Sequence, residues 1–100
     1  MNIENLKAAG FVETTYEGQE GVFWTKRMSL KDMPYYKEHM VDNDLYFESD
    51  IAIIECAETK KFPKGGVQMV LEEIDYIEEM VAVDSEEGIS LLKQAGAVVQ

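Results

Sequence analysis

The sequence predicts an α+β domain: a four- or five-stranded antiparallel sheet made from two β-hairpins, with three short helices, in the order α-β-β-α-β-β-(β)-α. Three observations predict it. The runs Phe11–Tyr16 and Val22–Met28 are rich in β-branched and aromatic residues and flank a glycine-bearing segment, Glu17-Gly18-Gln19-Glu20-Gly21. A second pair of strand-like runs, Ile51–Ala57 and Val67–Leu71, follows further along. The stretch 85–95 carries helix start and stop signals at both ends.

Taken in order, Ile3, Leu6 and Ala9 recur at helical spacing, Asn2 can cap the first free amides, and Gly10 can take the left-handed conformation that ends a helix. A helix over 3–9 is stable only when docked on a core. In the first hairpin, Val22, Trp24, Lys26 and Met28 alternate with Phe23, Thr25 and Arg27, so one face carries Trp24 inward. Asp32 reads as the N-cap of a second helix, Pro34 suits its first turn, and Met33, Tyr36 and Met40 line one side of it as far as Val41. The turn-forming Asp42-Asn43-Asp44 ends it.

Ile51–Ile54 is apolar on both faces, the mark of an interior strand. The connection to Val67 runs through Lys60, Lys61, Pro63, Gly65 and Gly66 and reads as a flexible tip. Residues 72–83 fit either helix or strand; a turn around Ile74–Tyr76 and a fifth strand at 77–83 are expected, because no N-cap precedes Glu72. For the last helix, Asp84 reads as N-cap, with Glu86 and Glu87 at the positive end of the helix dipole. Asp84 and Glu87 also have capping-box spacing. Ile89 and Leu92 form its apolar stripe, Lys93 sits in the last turn and Gly96 closes it. The expected core comprises Trp24, Ile53, Ile54, Met69, Leu71, Ile89 and Leu92.

One hundred residues fit a single small domain, 1–100, and can bury one modest core. The apolar fraction of 46% and ten aromatic residues can offset the ordering entropy despite a net charge of −11. One cysteine, Cys56, excludes an internal disulfide and an all-thiolate metal site, and its apolar run predicts a buried, inert thiol. The first residues lack the basic and apolar regions of a secretory leader, and no apolar stretch approaches the roughly 18 residues needed to span a bilayer. A reducing, cytoplasmic setting is the expectation.

The charge is unevenly placed. Residues 1–41 hold five bases and six acids, and are nearly neutral. Residues 42–59 hold six acids and no base; residues 72–87 hold eight acids and no base. Fourteen of the twenty carboxylates thus lie in two uncompensated blocks. Such a field repels nucleic acid and anionic membranes and attracts basic partners.

No catalytic signature accompanies it. His39 is the only histidine, among Lys37, Glu38 and Met40, and reads as a solvated imidazole. No serine, and not Cys56, sits in a G-x-S-x-G nucleophile context. Asp42–Asp50 begins like a calcium loop, but Phe47 stands where glycine is needed and Ile53 where the bidentate glutamate is needed. Gly65-Gly66 among lysines introduces a strand rather than a helix, so it is no P-loop. No cofactor and no metal are expected.

The expected function is therefore that of a non-catalytic acidic module that docks on a larger basic protein or nucleic-acid-binding protein and modulates or inhibits it. In the strongest form of this reading, its carboxylates imitate a row of DNA phosphates. The partner-binding candidates are Asp42, Asp44, Glu48, Asp50, Glu72, Glu73, Asp75, Glu78 and Glu79, with Tyr46 and Tyr76 as aromatic anchors. Tyr35, Phe47 and Phe62 also fall in or near loops or on the second face of the second helix. The chain is similar in general character to accessory proteins of phages and other mobile elements, a likeness of type that no motif carries. Two rival classes remain: a structural subunit forming a homodimer through a sheet edge, and a small ligand-binding domain or enzyme using carboxylates and tyrosines.

Overall fold

The structure is a computed structural model and describes residues 1–19, 21–29, 33, 51–71, 76, 77 and 79–97, with the backbone only at Tyr76. It is an α+β fold. The elements are α1 (Ile3–Ala8), β1 (Val12–Thr14), β2 (Phe23–Ser29), β3 (Ile51–Ala57), β4 (Gly66–Leu71), β5 (Tyr76–Ile77), β6 (Val81–Ala82) and α2 (Glu86–Gln94). The strands form one antiparallel sheet in the order β1-β2-β3-β4-β5, with β6 also on β4. The expected helix near 33–41 lies outside the described residues except for Met33, which is fully buried in the core.

Helix α1 forms for the reasons its sequence suggests. The Asn2 side chain accepts from the Asn5 amide. At the other end Gly10 takes φ 97°, and the Gly10 and Phe11 amides donate to the Lys7 and Leu6 carbonyls at 3.0 and 2.9 Å. Leu6 and Phe11, which this reversal brings together, both enter the core.

Helix α2 ends in the same way. Gly96 has φ 83°, its amide donates to Lys93 O, and the Ala97 amide donates to Leu92 O at 2.8 Å. Its start differs from expectation: the N-cap is Ser85, not Asp84. The Ser85 hydroxyl accepts from the Gly88 amide at 3.1 Å and donates to Ala82 O at 2.6 Å, so one side chain caps the helix and ties it to β6. Asp84 is exposed. The buried stripe is Gly88, Leu91, Leu92 and Ala95, at i, i+3, i+4 and i+7. Ile89 lies off that stripe and is only half-buried, a correction to the expected core; so is Ile53, on the sheet's second face.

The fifth strand is interrupted rather than continuous over 77–83. Val70 pairs with Ile77, but Val67 pairs with Val81, so this side gains one residue between the two pairings. Tyr76, expected in the turn, belongs to β5. The β3–β4 tip is also better organised than a flexible loop. The Thr59 amide donates to Phe62 O, the Phe62 amide to Thr59 Oγ1, and the Gly65 amide to Phe62 O. The Met1 ammonium donates to Lys64 O at 2.9 Å, and the Val83 amide to Gly65 O.

The core lies between the helices and one sheet face. Trp24, Ala52, Ile54, Cys56, Val67, Met69 and Leu71 meet Leu6, Leu91, Leu92 and Ala95 there. Lys26 shares this inward-facing alternation with Trp24, and its Nζ donates to Ala95 O at 2.6 Å, at the C-terminal end of α2. A Cβ on either Gly10 or Gly96 would lie within 4.0 Å of the same Nζ. One ammonium therefore binds the C-terminal end of α2 and lies close to the glycine that follows α1.

Candidate functional site

Of the acidic candidates, Asp42, Asp44, Glu48, Asp50, Glu72, Glu73, Asp75 and Glu78 lie outside the described residues, as do Tyr46 and the Tyr76 side chain. Glu79 is described: it is exposed, with its carboxylate 3.8 Å from Lys61 Nζ. Tyr35, Phe47 and His39 also lie outside the described residues, and Phe62 is half-buried beneath the Lys61 ammonium, 5.4 Å from its ring centroid. Glu13, Glu17, Glu58, Asp84, Glu86 and Glu87 are exposed. A solvated ion pair such as Glu79–Lys61 contributes at most about 1 kcal/mol, so pairing of these exposed groups adds little to stability.

A second polar constellation was not expected. On the sheet face opposite the core, antiparallel pairing sets Val12, Thr25, Glu55 and Gln68 side by side across β1 to β4. Glu55 is 7% exposed. Tyr16 Oη donates to Glu55 Oε2, and Gln68 Nε2 donates to Glu55 Oε1 at 2.8 Å. Thr14 and Thr25 exchange a hydroxyl hydrogen bond at 2.9 Å, and Phe23 meets Tyr16 edge-on with centroids 5.2 Å apart. Both described donors to Glu55 are neutral groups, and among the described residues no cation contacts it. A carboxylate held in this way is costly to strip of its partners, because the remaining buried charge loses its solvation without compensation.

Glu55 also acts on its neighbour. Burial first, and the Glu55 charge second, push the Cys56 thiol up to about 12. The buried thiol expected from the sequence is therefore held protonated, which leaves it without the thiolate that nucleophilic chemistry requires. Among the described residues no group of three or more His, Cys, Asp and Glu side chains converges as a cation site. An open groove of about 590 Å³ runs between α1, α2 and the β3–β4 tip, lined in part by Met1, Leu6, Lys64, Asp84, Leu92 and Ala97. Among the described residues, its lining brings no set of catalytic side chains together.

Comparison with protein-family models, curated proteins and solved structures returned no match.

The Glu55 cluster had a signal in the sequence. In Ile51-Ala52-Ile53-Ile54-Glu55-Cys56-Ala57, a lone carboxylate interrupts the most apolar strand of the chain. An interior strand has no solvated edge for such a group, so it needs donors from its neighbours. Which residues supply them depends on strand register, and Tyr16 comes from 39 positions away.

Proposed function

We propose that this protein is a non-catalytic acidic binding module that docks on a larger basic protein, a nucleic-acid-binding protein being the favoured class, and modulates or inhibits it. The observation that carries this reading is the distribution of charge. Fourteen of twenty carboxylates fall in two segments without a single base, giving a net charge of −11. Exposed Asp84, Glu86 and Glu87 at the start of α2 extend the second of these segments onto the described surface. In its strongest form the carboxylates occupy a groove built for phosphates. The protonated Cys56 is consistent with a module that does no covalent chemistry.

The test is the salt dependence of association. Debye screening shortens from about 30 Å at 0.01 M to about 8 Å at physiological ionic strength, so association with a partner recovered at low salt slows across that range. Reversing charge at Glu72, Glu73, Glu78 and Glu79 lowers the on-rate while the melting profile is retained. A reversed variant that associates as fast as the parent refutes the proposal. The edge strand β1, with Val12 60% exposed, supports the alternative of a homodimer through a sheet edge. That alternative predicts a mass that rises with protein concentration in light scattering and varies little with salt.

A further inference from the structure

The sheet has two unequal faces. Leu6, Leu91, Leu92 and Ala95 of the described helices pack on the face bearing Trp24, Ile54, Cys56 and Met69. The opposite face carries two cross-strand rows, Val12–Thr25–Glu55–Gln68 and Arg27–Ile53–Val70–Ile77. Val12 and Ile77, at the two margins, are 60% and 58% exposed, and Ile53 and Val70 between them are half-buried. Single exposed aliphatic residues are ordinary on any surface, but here they are aligned on one sheet face around a buried charge.

Charge complementarity selects the occupant. A second copy of this chain brings another −11, and a two-fold face-to-face contact sets equivalent patches, and so both Glu55 carboxylates, within one low-dielectric interface. A partner that carries its cation opposite Glu55 and a neutral or acidic group opposite exposed Arg27 removes both penalties. An ionised carboxylate offers about four acceptor positions, of which the described donors to Glu55 fill two, both from neutral groups. Tyr16 and Gln68, the two donors to Glu55, are themselves half-buried.

We propose that this second sheet face is the seat of the basic partner: aliphatic groups of the partner cover Ile53, Val70, Ile77 and Val12, and one of its arginine or lysine side chains meets the Tyr16–Glu55–Gln68 cluster. The inference rests on the binding-module reading and adds the surface to it. Carboxylates elsewhere set the rate of encounter, and the sheet face sets the residence time, since contacts at the centre of an interface act mainly on dissociation.

Two synthetic peptides serve as probes, one alternating arginine with valine and one alternating arginine with serine, each titrated into the isotopically labelled protein and followed by amide shifts. The arginine–valine peptide is expected to bind at least about tenfold more tightly, the scale of a modest interface hot spot, with shifts at Thr25, Ile53, Gln68 and Val70. The double variant Val12→Thr/Ile77→Thr keeps β-branched side chains at exposed sites and so keeps the fold. It is expected to abolish that preference, and Glu55→Gln to weaken binding of both peptides. Equal affinity for the two peptides, shifts confined to residues 42–50 and 72–87, or a double variant with the parent's preference overturns the assignment of this face. If charge reversal at Glu72, Glu73, Glu78 and Glu79 still slows association in those cases, the binding-module reading stands and only the surface is wrong. If that reversal changes nothing, or neither peptide binds at low salt, both fail.

Discussion

Gly88→Ala sets helix propensity against packing at one atom. Gly88 lies in the first turn of α2, where alanine is intrinsically favoured over glycine by about 1 kcal/mol. Against this, a Cβ on Gly88 would lie 2.0 Å from the Ala82 carbonyl oxygen and 3.1 Å from Ser85 Oγ. Ordinary contact needs roughly 3.5 Å, so the helix start must withdraw from β6 by more than about 1 Å. That movement strains the Ser85 hydroxyl between the Gly88 amide and Ala82 O, the two bonds that cap α2 and tie it down. Overpacking costs about 1–3 kcal/mol and a lost cap about 0.5–2 kcal/mol, which after the propensity gain leaves a net loss of roughly 0.5–4 kcal/mol. In a domain of this size each 1 kcal/mol moves the melting midpoint by about 4–8 °C, so calorimetry should show a fall of at least about 2 °C. Urea unfolding should show a lower midpoint with an unchanged slope. A midpoint that is unchanged or higher would mean that propensity prevails and that α2 does not start against β6 as described.

Leu92→Ala removes a side chain that is 4% exposed beneath α2 and should cost about 2–5 kcal/mol in urea unfolding; a loss below about 1 kcal/mol would place Leu92 outside the core. Lys26→Met keeps most of the aliphatic stem but leaves Ala95 O without its ammonium, and a loss of about 1–2 kcal/mol is expected, read as a lower melting midpoint. Cys56 should resist an aromatic disulfide reagent at pH 8 in the native protein and react at once in denaturant. Its thiol leaves its ordinary value of 9.0 for about 12 on folding, so the native state holds a proton that the unfolded chain loses. Stability is unaffected by this group below pH 9 and falls by about 1.4 kcal/mol per pH unit between 9 and 12; Cys56→Ala should abolish that component of the slope.

Much of the frame was legible because its signals are local. The cap at Asn2, the reversals at Gly10 and Gly96 and the positive φ of Gly18 and Gly21 in the first hairpin each depend on a few adjacent residues. What was missed depends on contacts between distant residues. Asp84 and Ser85 are both good caps, and Ser85 prevails because its hydroxyl can also reach Ala82 O. Gly88 looks like a weakness in a helix until the approach of β6 explains it. The interruption between β5 and β6 is a property of their pairing with β4, which composition does not encode. For the site, the total charge and its grouping can be read from the sequence, whereas the assembly of Tyr16, Glu55 and Gln68 needs β3 and β4 in register and Tyr16, two residues beyond β1, within reach.

The register of β2 on β3 has a consequence for how such a protein can diversify. Ser29, the last residue of β2, pairs directly with Ile51, the first of β3. The two ends of segment 30–50 are thus clamped at a single cross-strand pair, and Met33 within it is buried in the core. Closing a loop costs free energy that grows only with the logarithm of its length, about 0.6 kcal/mol for each doubling. Lengthening the sequence between Ser29 and Ile51 therefore adds little to the cost of closing it. Relatives should accordingly be sought by the strand register, with the length of the segment between these two residues left free to vary.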